Sequence, residues 1–467
     1  MILKNEQATL FELTDSDTDS LPYLRELGIK LLDIRMPLQF RNNKHLPVHR
    51  WSPYVQGFSA DFVYSLLLQY WHAYSLEQSD CLVYDPFAGV GTALVEAKRL
   101  GIRRCMGTEL NPLLAFLANA KLQAWNIEPS SILEAWDTVD RMDRSQRFPA
   151  PSFLRSEKHF LPEVLRELEL LRGAIDRVHD EKTKDLLKVA FASILIDCSN
   201  LKRSPCLGYC ANKHPPSTPW NLMKAKVAEM AEDLELLRDE QRHKNNVFAH
   251  VEVADAKVFE PPPLTLVVTS PPYMNGLDYI MNYKIEMAWL GFLNSHHDSQ
   301  LIKSQMIACD NVSPRVIVDF ARQGRHSYSD CWLTSIIERI SYNIEHWDEG
   351  HAQKRIPRRR KLSSGERNNK RRYRRRDMPL IVHKYFDDMY QVMEKLTGAL
   401  LPRGRIILVL GDSLIADVYI PTDLIIAKMG LSLGLELESV LKARTRRSGQ
   451  IRSYKLRESV ITLRKPY

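Results

Sequence analysis

Apolar residues in this chain fall into two patterns. Five short runs are continuous rather than alternating and end in turn-forming residues: CLVY (Cys81 to Tyr84), CMGTEL (Cys105 to Leu110), HVEVA (His250 to Ala254), LTLVV (Leu264 to Val268) and RIILVLG (Arg405 to Gly411). Such runs read as strands covered on both faces, which is how parallel strands are buried. A helix-length segment from Thr92 to Leu100, closed by Gly101, separates the first two, so the pitch is strand, helix, strand. Toward the end of the chain come a helix (Tyr385 to Leu400), the fifth strand, and a second helix (Asp423 to Gly430). Two further strand-like runs follow, LELESVLKA and ESVITLRK, expected to pair antiparallel at the sheet edge. The pattern predicts an α/β fold around a mostly parallel, seven-stranded sheet.

The second pattern is apolar residues at helical spacing, over Pro162 to Asp180, Lys182 to Ser199 and Asn221 to Arg238. The region from Gln123 to Asn246 is therefore expected to be mostly helical, with Pro162 suited to a first helical turn. From Asn294 to Leu380 periodicity is weak. The organisation expected is an N-terminal segment (1–75), a catalytic sheet domain in three pieces (76–122, 247–293 and 381–467), a helical insertion (123–246) and a second, basic insertion (294–380).

Composition changes the picture at one place. With 467 residues, 44% hydrophobic and 26% charged, the chain is neither a disordered tail, a collagen-like rod nor a disulfide-stapled miniprotein. The net charge is +8, yet Lys354 to Arg376 alone holds thirteen Lys/Arg and one Glu, leaving 52 basic and 56 acidic residues elsewhere. The body is mildly acidic and carries one intensely basic segment. Arg358, Arg359, Arg360, Lys361, Arg371, Arg372, Arg374, Arg375 and Arg376 are expected to grip a nucleic-acid backbone, without reading sequence, since Tyr373 is the segment's lone aromatic residue. A solvated charged loop is the plainer alternative. The scattered cysteines, the Lys and Glu near the N-terminus and the lack of an apolar run of ~20 residues lead us to expect a soluble cytoplasmic protein.

Candidate chemistry begins where the first strand enters Asp85-Pro86-Phe87-Ala88-Gly89-Val90-Gly91-Thr92. Glycines at a strand-to-helix turn let a ligand approach the backbone. A dinucleotide fingerprint needs a third glycine where Leu94 stands, and a phosphate-binding P-loop needs Gly-Lys-Ser/Thr where Gly91-Thr92-Ala93 stands. The loop fits a nucleoside whose 5′ group is not phosphate. Glu109, ending the second strand, is placed to accept from two ribose hydroxyls, and Asp255, after the third, from an adenine amine.

At the end of the fourth strand stands Thr269-Ser270-Pro271-Pro272-Tyr273. Two prolines fix the backbone and remove two donors, so the neighbouring carbonyls are left to accept from a ligand N–H. Ser270 adds a hydroxyl and Tyr273 a face on which a flat base can stack. A plain strand-ending Pro-Pro turn with a packed tyrosine is the bland reading.

Taken together, DPFAGVGT with its helix, TELNP around Glu109, TSPPYMNGLDY (Thr269 to Tyr279), the helix–strand unit DDMYQVMEKLTGALLPRGRIILVLGDS and the ending ESVITLRK resemble the S-adenosylmethionine-dependent amino-methyltransferases of DNA, of the TSPPY type, which modify cytosine N4 or adenine N6. HRWSPYVQGFS (His49 to Ser59) is similar to the segment that supports the cofactor's methionine end in that family. The resemblance covers about half the chain. It implies a Rossmann-like methyltransferase fold, S-adenosyl-L-methionine as cofactor, held by Asp85, Phe87, Gly89, Gly91, Thr92, Glu109 and Asp255, and double-stranded DNA with a flipped base as partner. It also implies a restriction-modification system with a cognate endonuclease. Ser270, Pro271, Pro272 and Tyr273 become the catalytic residues. No metal is implied. A serine in the first motif position favours cytosine N4 over adenine N6; an RNA base-amine methyltransferase is the remaining alternative. The basic insertion (294–380) is the candidate target recognition region, although the order, with the glycine loop some 180 residues before the proline turn, departs from a simple crossover and leaves that placement open. A cysteine-nucleophile chemistry at Ser204-Pro205-Cys206, and zinc at Cys206, Cys210 and His214, are rival readings with weaker spacing.

Overall fold

The structure is a computed structural model that describes residues 15–33, 40–52, 54, 57–74, 81–204, 206–210, 218–241, 247–324, 326–346, 375–448 and 453–467. The strands within them are β1 (Leu31–Asp33), β2 (Leu82–Asp85), β3 (Arg104–Glu109), β4 (Leu201–Arg203), β5 (Leu207–Tyr209), β6 (Phe248–Val253), β7 (Leu264–Thr269), β8 (Leu400–Gly411), β9 (Ser413–Ile415), β10 (Val418–Ile420), β11 (Glu436–Arg447) and β12 (Lys455–Arg464). The chain forms two compact units, one of Met1–Leu38, Ala256–Gly276 and Met306–Tyr467, the other of Gln39–Asp255 and Leu277–Gln305.

In the second of these, β2, β3 and β6 run parallel, with Val83 opposite Cys105 and Met106 opposite His250. All four residues of β2 are buried, as its unbroken apolar run predicts. β6 departs from expectation: Phe248 and Val253 are exposed, so HVEVA is an edge strand rather than a doubly covered one. Its edge is held by Asn119, whose amide donates to the Val251 carbonyl at 2.7 Å and accepts from the Val251 N–H at 2.9 Å. Helices Pro129–Arg141, Pro162–Asp176, Glu181–Leu195 and Pro219–Gln241 follow β3 and its helix Pro112–Gln123, and bury Leu168, Leu171, Leu187, Phe191, Met223 and Val227. Three of the four open on proline in the first turn, where its missing N–H costs nothing. The region also carries an unforeseen hairpin, β4 with β5. Asp233, buried on the last of these helices, accepts from Val48 N–H (2.8 Å), Trp51 Nε1 (2.7 Å) and Arg50 Nε (3.1 Å), and so fixes the His49–Trp51 turn.

In the other unit the strand order is β1-β11-β12-β8-β7. The two C-terminal runs pair antiparallel as expected, but they do not make an edge: β12 lies between β11 and β8, and β11 carries β1 parallel on its far side. β7 and β8 are parallel. The burial of β12 is consistent with its place: Leu456 to Leu463 are buried, and its Arg457 is neutralised by Asp423 and Asp412. Helices Pro314–Arg322 and Cys331–Glu345 appear where periodicity was weak, the latter capped by Asp330, which accepts from Leu333 N–H at 2.8 Å. Among the described residues no helix is long and apolar enough to cross a membrane.

Candidate active site: a glycine loop and a proline turn

The glycine loop is shaped by its own side chains. Asp85 is buried, and its carboxylate accepts from the Phe87 N–H at 3.0 Å, turning the chain as soon as β2 ends. Ala88 N–H donates to the Thr108 carbonyl and Thr108 Oγ1 to the Pro86 carbonyl, both at 2.9 Å, which ties the loop to β3. Gly89 and Gly91 have φ of +52° and +83°, the left-handed region that glycine enters freely. A Cβ on Gly91 would stand 3.0 Å from the Ala118 Cβ; one on Gly89 would stand 3.0 Å from the Tyr54 hydroxyl. Gly91 thus serves packing, whereas Gly89 keeps space open beside Tyr54. Thr92, buried, opens the helix Thr92–Arg99.

Glu109 closes the cluster. Its carboxylate accepts from Gly89 N–H at 2.9 Å and from Asn111 N–H at 2.8 Å. Burial raises its carboxyl above the ordinary value, against the opposing pull of the N–H groups of Asn111, Gly89 and Leu110. A carboxylate offers about four lone-pair directions, so with three N–H donors in place one remains for a ligand's hydroxyl. Ala254 N–H donates to the Glu109 carbonyl at 3.2 Å, which brings the end of β6, and half-buried Asp255 after it, to the end of β3. Tyr54 stacks on Tyr279 (ring centroids 5.5 Å, 15°) and on Tyr283 (6.2 Å, 18°), and burial raises all the more the hydroxyl of Tyr54 because Tyr279 and Glu109 are near. Tyr54 lies in HRWSPYVQGFS and Tyr279 at the end of TSPPYMNGLDY. Their stack was not foreseen, because 224 residues separate two rings that meet only through the fold.

The donor set fits a nucleoside carrying a cation rather than a phosphate. Residues 85–92 contain no Lys or Arg, and Asp85 and Glu109 supply two carboxylates, which repel a pyrophosphate and favour a positive sulfonium.

The proline turn belongs to the other unit. β7 delivers buried Thr269, then half-buried Ser270, buried Pro271, and half-buried Pro272 and Tyr273. The Tyr273 carbonyl accepts from Gly276 N–H at 2.8 Å, and the Met274 carbonyl from Asp310 N–H at 3.1 Å. The buried hydroxyl of Tyr385, on the helix Met378–Ala399, donates to the Pro272 carbonyl at 3.1 Å. The Tyr273 ring lies against Gly411 at the end of β8, where an added Cβ would stand 2.8 Å from Cε2. Burial raises the Tyr273 hydroxyl, and the nearby Glu458 adds to that, while Arg446, Arg444 and a hydrogen bond with Ser270 pull the other way. Sequence reasoning missed Tyr385, Gly411, Glu458 and Arg446, none of which is close to the motif along the chain.

Of the basic segment, Arg358, Arg359, Arg360, Lys361, Arg371, Arg372 and Arg374 lie outside the described residues. Arg375 is engaged internally: it pairs with Asp377 and donates to the Asp310 carbonyl at 3.3 Å. Arg376 is exposed. Cys206, the candidate nucleophile of the rival reading, is exposed at the tip of the β4–β5 hairpin, where its carbonyl accepts from Ser204 N–H. Cys210 is half-buried, and His214 lies outside the described residues.

The mixed α/β architecture, with four of the six strand pairings described within the two units parallel, is compatible with a Rossmann-like methyltransferase. The comparisons point to the same class. The chain is 23% identical over 476 residues to the type II methyltransferase M.BsoBI of Geobacillus stearothermophilus, covering 92% of this chain and 88% of that one. It is 23% identical over 432 residues to the type II methyltransferase M.AvaI of a Nostoc strain, covering 87% and 83%. A shorter match, 29% over 132 residues, or 26% and 28% of the two chains, is to the type II methyltransferase M.MvaI of Kocuria varians. No family model and no solved structure matches the chain. The likeness to the first two runs along nearly the whole of each protein, so it takes in the insertions as well as the sheet.

Proposed function

We propose that this protein is a site-specific DNA methyltransferase, the modification half of a restriction-modification system, that methylates an exocyclic base amine, cytosine N4, in double-stranded DNA. The observation that carries the reading is the Ser270–Tyr273 turn, held by the Tyr385 hydroxyl, after a strand in a chain whose other compact unit holds a glycine loop with Glu109 on its backbone. The likeness to proteins named type II methyltransferases supports the substrate and the setting.

S-adenosylmethionine, when bound, supplies an electrophilic methyl on a sulfonium sulfur. Glu109 and Asp255 would hold its ribose and adenine, and Asp85, Phe87, Gly89, Gly91 and Thr92 its cradle. The amine of cytosine is a weak nucleophile because its lone pair is delocalised into the ring. Ser270, whose hydroxyl is hydrogen-bonded to that of Tyr273, would present a lone pair to one amine N–H, and the Pro271 carbonyl would take the other. Two such acceptors would localise the nitrogen lone pair and aim it at the place of that methyl, and the surplus proton of the methylated amine would pass along the Ser270 hydrogen bond to water. Rate comes from positioning and electrostatics, with no covalent adduct to the protein. Tyr273 stacks the base once it is extruded from the duplex.

The test is direct. Purified protein is incubated with labelled S-adenosylmethionine and duplex DNA, and the modified nucleoside is identified. N4-methylcytosine is the expected product; label in N6-methyladenine, or in RNA and not in DNA, overturns the base or the substrate. Ser270→Ala and Tyr273→Ala should each lose turnover while cofactor binding survives.

A further inference from the structure

We infer that Arg446 selects the base, by donating its guanidinium fork to the two acceptors beside the reacting amine, the ring nitrogen N3 and carbonyl oxygen O2 of a cytosine. The inference deepens the proposed function and rests on its assignment of the Ser270–Tyr273 turn to the target base.

Arg446 lies near the end of β11 with its guanidinium carbon over the Tyr273 ring, 5.7 Å from the centroid. That is within reach of a cation–π contact and longer than a direct stack. A base stacked on Tyr273 therefore comes within reach of the guanidinium, which we place at the base's edge. The edge is where bases differ. Next to its amine, cytosine carries N3 and then O2, two acceptors in a row; adenine carries N1 and then a C–H. A guanidinium presents parallel N–H groups at matching spacing, and a bidentate contact of this kind discriminates where a point charge does not.

The neighbouring charges leave Arg446 with that capacity. Glu458, buried, is already bound in bidentate fashion by Arg444, through Nη2 to Oε1 at 2.8 Å and through Nε to Oε2. Arg446 Nε comes no closer than 3.6 Å to the same carboxylate, and it is buried without a hydrogen-bond acceptor among the described residues. Its Nη2 donates to the Asp412 carbonyl, which anchors the side chain without cancelling its charge. Two arginines around one carboxylate leave a net positive charge beside Tyr273.

The experiment uses the full-length protein and two duplexes that differ only at the target: cytosine, or 2-thiocytosine, which keeps the amine and N3 but replaces O2 by a poor acceptor. Wild type should methylate the thio-substituted target about tenfold more slowly. Arg446→Ala should lose about a hundredfold in turnover on cytosine, the scale of two charge-assisted hydrogen bonds, with the ratio between the two duplexes falling near one. Arg446→Lys, which keeps the charge and loses the fork, should also show a ratio near one. Methylation of cytosine N4 by Arg446→Ala at the wild-type rate and ratio overturns the role of Arg446 alone. A wild-type ratio retained by Arg446→Lys overturns the fork. Transfer by the wild type to adenine overturns the proposed base and this inference with it.

Discussion

The hydroxyl of Tyr385 donates a 3.1 Å hydrogen bond to the carbonyl of Pro272, 113 residues earlier in the chain. A turn of two prolines has no N–H of its own with which to fix those carbonyls, so their direction depends on a donor from elsewhere. Tyr385 is fully buried and supplies it. Tyr385→Phe removes the donor and keeps the ring. Single-turnover rates should fall about three- to tenfold, the worth of one hydrogen bond, while the dissociation constant for S-adenosylmethionine stays put. An unchanged rate in Tyr385→Phe would mean that the prolines alone hold the turn.

Two glycines separate the roles of the two clusters. Gly411→Ala puts a methyl 2.8 Å from Cε2 of Tyr273, with the strand β8 behind it, so the ring must move. Turnover should drop by ten- to a hundredfold, with cofactor affinity unaffected. Gly89→Ala faces the Tyr54 hydroxyl at 3.0 Å and a φ of +52°, which costs a non-glycine residue about 1–2 kcal/mol. Here it is cofactor affinity that should weaken, by roughly tenfold. Titration calorimetry with S-adenosylmethionine, beside a turnover assay, distinguishes the two; equal effects of both substitutions on affinity would contradict the division.

How much of this was written plainly in the sequence follows from how far each signal reaches. The runs at Leu82–Asp85 and Leu264–Thr269 were legible because a strand covered on both faces must be apolar throughout, and the residues after each had to be turn formers. β1 was not, since three residues with Asp33 exposed leave no pattern. The helix His296–Gln305 buries nothing and so carries no apolar stripe to find. At the site, Glu109 and Ser270 were legible from their position after a strand. Tyr54, Tyr385, Gly411 and Arg446 were not, because each acts on a residue far along the chain, and only the folded backbone brings the pairs together. β12 between β11 and β8 is the same lesson at the scale of a strand: antiparallel pairing is visible locally, sheet order is not.

Lys121 offers a stability test. It is fully buried in the helix Pro112–Gln123, and its ammonium has no hydrogen-bond partner among the described residues. Burial pushes it down to about 7 from 10.5. Near it stand the buried pair His49 and Glu96, 2.7 Å apart, and the Lys121 charge helps burial lower His49 below 6.5. A lysine depressed on folding gives its full contribution above its unfolded value and loses it as pH falls toward the folded one. Stability of the wild type should therefore fall between pH 9 and pH 7 by about 2 kcal/mol from this group, at about 1.4 kcal/mol per pH unit until the slope flattens near the folded-state value. Lys121→Met has no proton to take up. Urea midpoints at the two pH values should show the variant gaining on the wild type as pH is lowered, and a constant difference would mean that the ammonium is solvated after all.

The basic segment makes a prediction that its own residues divide. If Arg371, Arg372, Arg374 and Arg376 lie on phosphates, replacing the four with Ala should weaken duplex binding uniformly across sequences. The slope of log affinity against log salt should then drop by up to about 0.9 for each phosphate released. Arg375 should behave differently. Its guanidinium is committed to Asp377 and to the Asp310 carbonyl, and the Asp310 N–H in turn holds the Met274 carbonyl beside the proline turn. Arg375→Ala should leave the salt slope as it is and lower turnover, because it loosens the backbone next to Tyr273 rather than a contact with DNA. Fluorescence anisotropy of a labelled duplex over a salt series, run beside the turnover assay, reads both quantities. A slope lowered by Arg375→Ala, with turnover intact, would place this arginine with the rest of the segment.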